Sequence, residues 1–197
     1  MTPLLRAWRP TDASALHDAV AADPSLSRQL GGAELPDVAD CADLIATRLA
    51  ATGPGGHHLA VTVDDVAVGD IGLSALDRVH DTAWVSYWLA PEHRGRGLAT
   101  RALEAVARWA LDDLGLFRLE LGHRTNNPAS CRVATRAGFV AEGVERAKLR
   151  YGSERFDVET HARLATDPRP EVEPLPLRPG VAGGAGRPPH GDGAPGR

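Results

Sequence analysis

Apolar positions along the chain change their period several times, and each change marks an element. Leu4, Leu5 and Trp8 read as a short opening strand from Leu4 to Trp8. Behind a cap at Thr11 or Asp12, the run to Val20 then places Leu16 and Val20 on one helical face. Val38, Cys41, Ile45 and Leu49 recur at helical spacing from about Asp37 to Ala50, a helix bracketed by Pro36 and Gly53. Three strands follow, His58 to Val63, Val66 to Leu76 and Thr82 to Leu89, the first two joined by Asp64 and Asp65, which reads as an antiparallel meander. The third alternates Trp84, Ser86 and Trp88 with Val85, Tyr87 and Leu89, so both of its faces are expected to meet apolar partners. Pro91 ends it. A long helix from Gly97 to about Leu114 packs through Leu98, Ala102, Ala105, Val106, Trp109 and Ala110, and Gly115 closes it. A strand from Phe117 to His123, a short helix from Pro128 to Arg136 ended by Gly138, and strands near Val140 to Leu149 and Arg155 to Leu164 complete the order β-α-α-β-β-β-α-β-α-β-β. The chain is thus α+β, with a mixed, mostly antiparallel seven-stranded sheet and about four helices, and it has no internal repeat.

Composition sets the limits. At 197 residues the chain accommodates one domain and an extension. From Pro168 to Arg197 half of the residues are Pro or Gly, too little apolar surface to offset the entropy of ordering, so residues 1–167 are expected to form the domain and 168–197 a disordered tail. No apolar run reaches membrane-spanning length and the N-terminal segment lacks the pattern of an export signal, which reads as a cytoplasmic protein with no membrane partner. A formal charge of −4 argues against broad nucleic-acid binding. Cys41 and Cys131 stand far apart, without a CxxC pair or histidines at ligand spacing, and read as small apolar helix residues, so neither a disulfide nor a metal is expected.

The candidate chemistry lies between the third strand and the long helix. Arg94, Gly95, Arg96, Gly97, Leu98, Ala99 and Thr100 join a strand to a helix start, where glycines let successive N–H groups converge, the helix dipole adds positive potential and the two arginines can pair with anions. A ligand carrying a di- or triphosphate fits such a turn. A nucleotide-binding Walker loop is excluded because no Gly-Lys-Ser/Thr triplet occurs, and a dinucleotide fingerprint is weak because Thr100 replaces its third small residue and the preceding strands form a meander.

With that turn, the chain resembles the GCN5-related N-acetyltransferase (GNAT) superfamily, and within it the branch of ribosomal-protein acetyltransferases. The superfamily's coenzyme A loop, Gln/Arg-x-x-Gly-x-Gly/Ala, is matched by Arg94 to Ala99, and Tyr87 to Pro91, Asn127 to Ser130, Ala137 to Phe139 and Glu142-Gly143 stand around it. The resemblance covers about residues 3 to 165. It implies a GNAT fold whose splayed central strands bind acetyl-CoA, with the pantetheine arm on the main chain of Trp88, Leu89 and Ala90, an N–H near Leu89 facing the thioester oxygen, Asn127 on the cofactor arm and Ser130 donating to the departing thiolate. It further implies direct attack by an amine, in agreement with the lack of a Gly-x-Ser-x-Gly elbow.

Many relatives carry a carboxylate on the fourth strand where this chain has Trp84, which leaves Asp70, Ser86, Glu159, His161 or water as the proton acceptor. His57, His58, His80, His93 and His123 read as surface or packing residues. By the same resemblance the acceptor groove involves Ser25 to Glu34 and Tyr151 to Arg155, with Asp23, Glu34 and Glu154 available to a cationic amine, whether a protein N-terminus or a small molecule. Monomer and homodimer are both open. The alternative activity is a catalytically weak acyl-CoA-binding sensor or interaction module.

Overall fold

The computed structural model describes residues 1–50 and 56–178, so the expected helix bracket at Gly53 lies outside the described residues. Seven strands form one sheet, β1 Pro3–Arg6, β2 Gly56–Val63, β3 Val66–Asp77, β4 Thr82–Leu89, β5 Arg118–Arg124, β6 Val140–Tyr151 and β7 Glu154–Leu164, in the spatial order β1-β2-β3-β4-β5-β7-β6. Every neighbouring pair is antiparallel except β4 with β5. A parallel pair needs a long crossover. That crossover is α4, Leu98–Arg108, which continues through a wider turn at Trp109–Asp113.

Helices cover both faces. On one face α4 and α5, Pro128–Arg136, bury Leu98, Leu103, Val106, Trp109, Ala134 and Ala137 against Val85, Leu89, Leu119 and Leu121. On the other, α1, Ala13–Ala22, and α3, Val38–Leu44 with its extension Ile45–Leu49, bury Leu16, Cys41, Ile45 and Leu49 around Trp8 and Trp88. The alternation on β4 therefore resolves as expected, with Trp88 in one core and Val85 and Leu89 in the other. A short α2, Leu26–Gln29, is additional to the four expected helices. Its single turn is too brief for a 3.6-residue pattern to register, and Leu26 and Leu30 are its buried contacts. Among the described residues no helix is long and apolar enough to cross a membrane.

Two buried ion pairs fix the helices to the sheet. Arg6 grips Asp12 through two 2.7 Å bonds and also reaches Asp65 at 2.9 Å, so its guanidinium pKa is raised, the hydrogen bond to Asp12 outweighing the cost of burial. Arg163 on β7 pairs with the fully buried Glu104 of α4 and donates at 3.0 Å to the Ala137 carbonyl that ends α5. Removing one partner from such a pair strands a buried charge.

The boundary expected at residue 167 needs moving. Residues 168–178, read as the start of a disordered tail, run back along β1: the Leu5 N–H donates to the Pro176 carbonyl at 2.8 Å and the Arg178 N–H to the Leu5 carbonyl at 2.9 Å. Leu175 is 2% exposed within the main core, and its N–H donates to the Arg101 carbonyl of α4 at 3.1 Å. The physical reason is that β1 would otherwise be an unpaired sheet edge, and alternate prolines do not prevent the intervening residues from pairing with it. Residues 179–197 lie outside the described residues.

Leu175→Ala is expected to cost about 2–3 kcal/mol, and therefore to lower the melting temperature by about 4–10 °C. Ending the chain at Asp167 should cost at least as much. Calorimetric scans that superimpose on the unaltered chain would show that residues 168–178 add nothing to the core.

Candidate active site

The site begins where β4 and β5 part. They pair only over Thr82–Trp84 with Arg118–Glu120, whereas β3 accompanies β4 as far as Leu89. Antiparallel partners alternate between pairs that exchange hydrogen bonds and pairs that point their main-chain groups away. The Ala90 N–H donates to the Val68 carbonyl at 2.9 Å, so the alternation turns Leu89 and Tyr87 outward, toward the gap left by β5. These outward groups, of which the Leu89 carbonyl is held by Arg94, line a cleft of about 640 Å³, a volume suited to an organic ligand.

The glycine-rich turn forms one end of this cleft. Gly95 and Gly97 both adopt positive φ, +74° and +75°, and a Cβ on either would meet nothing within 4 Å, so the turn demands the left-handed conformation while leaving open space above it. Gly97 starts α4 with no side-chain cap, in contrast to α3, where Asp37 accepts from the Ala39 and Asp40 N–H groups, and α5, where Asn127 accepts from the Ser130 N–H at 3.1 Å. The first N–H groups of α4 are thus left facing the cleft. Arg94, Arg124, Arg132 and Arg136 line the same space, with Asp23 as the single acid among the described lining residues. In a chain of net charge −4 this concentrates positive potential at one place and suits a polyanionic ligand.

Arg94 does more than await an anion. Its Nε donates to the Leu89 carbonyl at 2.9 Å and its terminal nitrogen to Asp23 at 2.6 Å, joining the loop after α1 to the end of β4. The Asp23 carboxyl is held below its ordinary pKa by the Ser25 hydroxyl first and by Arg94 second. At the other end of the cleft the Tyr87 hydroxyl lies 2.8 Å from Ser130 Oγ. Burial pushes the phenol pKa up to about 12, against a smaller opposing effect of the Ser130 hydrogen bond, so Tyr87 stays a neutral donor. Beside the cleft Arg124 stacks on Tyr151 and Phe156, at 5.5 and 5.1 Å from their ring centres, and Arg28 of α2 covers Tyr151 at 5.0 Å, so the β6–β7 hairpin closes against α2.

Of the residues expected at the site, Trp88, Leu89, Arg94, Gly95, Gly97, Leu98, Ala99, Thr100, Asn127 and Ser130 all line this cleft. Arg96 and Ala90 do not. Arg96 projects to solvent, and the Ala90 N–H is already taken by Val68. The four side chains considered as proton acceptors are also absent from the lining. Asp70 is buried on the α1–α3 side, accepting from Trp8 Nε1 at 2.8 Å and bonded to His58 Nδ1 at 2.9 Å. Ser86 is exposed on that same side of the sheet, while Glu159 and His161 face α5 among other partners. Sequence reasoning missed Tyr87, although its place opposite Trp88 on an alternating strand marked its face, and missed Arg124, Arg132 and Arg136, whose convergence depends on the splay.

Residues 4–140 match the Acetyltransferase (GNAT) domain family. The chain is similar to the probable N-acetyltransferase YjcK of Bacillus subtilis strain 168, 33% identical over 105 residues, covering 53% of this chain and 58% of that one. It is also similar to the ribosomal-protein-serine acetyltransferase of Escherichia coli strain K12, 31% identical over 101 residues, with coverage of 51% and 56%. The matched stretch spans less than three fifths of either relative. A solved RimL alpha-N-protein acetyltransferase in complex with coenzyme A superimposes with a TM-score of 0.72 over 88% of this chain and 96% of that one; at 20% identity the likeness is one of fold.

If coenzyme A, which the solved RimL acetyltransferase holds, also occupies this cleft, Gly97→Trp should abolish its binding measured by calorimetry, by filling the space over the turn, while the strain of a side chain in the left-handed region costs only about 1–2 kcal/mol of stability. An unchanged affinity would place the ligand elsewhere.

Proposed function

Because the chain belongs to the GNAT acetyltransferase domain family, we propose that its cleft binds acetyl-CoA and directs the acetyl group onto a primary amine, with a protein N-terminal α-amine as the favoured acceptor. The observation that carries this reading is the uncapped, positive-φ start of α4 at one end of a strand gap where the main-chain groups of β4, the Arg94-bound Leu89 carbonyl apart, have no strand partner among the described residues. The diphosphate of coenzyme A suits the N–H groups around Gly97 and the surrounding arginines, and the amides of its pantetheine arm suit the outward groups of Tyr87 and Leu89.

In the transfer, the amine nitrogen bonds to the thioester carbon, the C–S bond breaks, and the sulfur leaves as a thiolate that must gain a proton or a hydrogen bond. Tyr87 and Ser130 form a coupled hydroxyl pair beside the cleft and supply that donor. The amine's own proton passes to water, since an α-amine of pKa about 8 is already partly neutral near pH 7. On this reading the N–H of Leu89, turned away from β3, donates to the developing oxyanion. Arg28 and Arg124 over Tyr151 favour an acceptor bearing acidic or carbonyl groups beyond its amine and disfavour a polycation.

A panel of amines assayed for thiol release from acetyl-CoA tests the reading. Short peptides with acidic residues behind a free N-terminus should be turned over, and spermidine poorly. Binding of acetyl-CoA with no thiol release for any amine would overturn it in favour of a sensor. Ser130→Ala and Tyr87→Phe should each lower kcat roughly tenfold to a hundredfold, the worth of about 1.5–3 kcal/mol for a hydrogen bond to a charged group, with little change in the KM for acetyl-CoA. Because the phenol keeps its proton until about pH 12, kcat/KM should rise through the amine pKa and then stay level, with no descending limb below about pH 10. A fall between pH 8 and 10 would assign the donor to another group.

A further inference from the structure

Behind the cleft, four potential ligands from three elements converge. His123 Nε2 of β5 lies 3.0 Å from His161 Nε2 of β7 and 3.3 Å from Glu159 Oε2, and His161 Nε2 lies 3.1 Å from the same oxygen. The Cys131 sulfur, in the first turn of α5, completes the group, with all four ligand atoms within 4.8 Å of one another. The two histidines are 6% and 2% exposed. Cys131 had been read as a packing residue with no histidine beside it, and His123 as surface or packing. The sheet register corrects both readings by bringing β5 and β7 together under α5.

Shared protons can hold this arrangement, and a metal ion fits it as well. His123 Nδ1 lies 3.0 Å from the Arg124 carbonyl, which can only accept, so Nδ1 carries the hydrogen and Nε2 of the neutral ring is a bare lone pair. Glu159 Oε2 presents lone pairs as well. A hydrogen on His161 Nε2 can serve one of them and the Cys131 thiol, hydrogen-bonded to Glu159, the other. Among the described residues the buried His161 Nδ1 has no hydrogen-bond partner. A cation at the centre would instead take the lone pairs of both Nε2 atoms, the Glu159 oxygen and the Cys131 sulfur together, with the His161 Nδ1–H left without an acceptor. Ligand bonds of about 2.0–2.1 Å in a tetrahedron give edges near 3.3–3.4 Å, close to the three distances found.

We propose that His123, Cys131, Glu159 and His161 form a tetrahedral site for Zn²⁺ or a similar borderline divalent metal. One sulfur, two imidazoles and one carboxylate select such an ion over Mg²⁺ or Ca²⁺, which take oxygen ligands. Four protein ligands leave no open position, so the ion is structural. It ties the first turn of α5 to β5 and β7. Since Cys131 follows Ser130, it also sets where the Tyr87–Ser130 pair stands. The site itself stands independently of the proposed reaction.

The test uses the full chain without a histidine tag, stripped of metal and titrated with Co²⁺. One equivalent should bind, with the intense ligand-field bands of tetrahedral cobalt and a thiolate-to-cobalt charge-transfer band. Cys131→Ser should remove the charge-transfer band, and Cys131→Ser with Glu159→Gln should weaken Co²⁺ and Zn²⁺ at least about a hundredfold, beyond the effect of losing an outer-shell partner. Both substitutions fall at half-buried positions, and circular dichroism checks that the variants are folded. Substoichiometric binding, spectra of six-coordinate cobalt, or undiminished affinity in the folded double variant would overturn the site and leave a proton-shared His–His–Glu cluster in its place.

Discussion

The cleft depends on one mismatch of strand lengths. β4 is held by β3 along its whole course and by β5 for three residues only, so its far end is a strand with one satisfied edge and one open edge inside a sheet. Buried main-chain groups do not stay unpaired without cost, and the fold tolerates the open edge because the gap is accessible and can take a ligand. On the α1–α3 face the Trp84 ring packs over Gly122 of β5, 3.1 Å from where a Cβ there would stand. On the opposite face α5 reaches β4 through the Tyr87–Ser130 contact.

Electrostatics then decide what enters. The chain is acidic overall, but two of its buried acids are committed to arginines away from the cleft: Asp12 to Arg6, and Glu104 to Arg163 and Arg108. Four arginines around the cleft face one acid, and that acid is already paired. The local sign is thus opposite to the global one, and net charge alone carried no information about it. Net charge argued only against a broad phosphate-binding surface, which is a different question from a single diphosphate pocket.

Much of this was legible in the sequence, for reasons of period. Most of the strands and the four longer helices carry a readable apolar pattern, though β6 is exposed along most of its length, and the glycine-rich turn is local, so Arg94 to Thr100 could be placed on a helix start before any fold was known. What could not be read depends on register. Asp70 and His161 were reasonable proton acceptors as residue types, yet the pleat turns Asp70 toward Trp8 and His58, and turns His161 toward α5. Tyr87 became a site residue only once β5 left its flank. His123 and His161 are 38 positions apart and lie beside each other through strand pairing alone. The start of the Pro-rich extension was misread for a different reason: composition averages over thirty residues, and it hid Leu175 and Leu177, whose alternation is that of a strand beside an open edge.

The route of the amine's proton follows from the same inventory. Asp23, the single carboxylate on the described wall of the cleft, is tied to Ser25 and Arg94, and a carboxyl held below its ordinary pKa is a poor base. Its loss of basicity is the counterpart of its structural use, since the same bond joins the α1–α2 loop to the glycine-rich turn. Trp84 stands where the family resemblance led one to expect an acid, and its ring packs across Gly122 and under Lys148, 5.2 Å from its centre. A cation over that ring further opposes a positive ammonium there. On the proposed activity the acceptor therefore enters the reaction already neutral, and selectivity rests on the amine's own pKa. An α-amine of pKa about 8 meets that demand far better than a side-chain amine of about 10.4, which reaches the same preference for a protein N-terminus from acid–base chemistry that the arginines beside Tyr151 reach from charge.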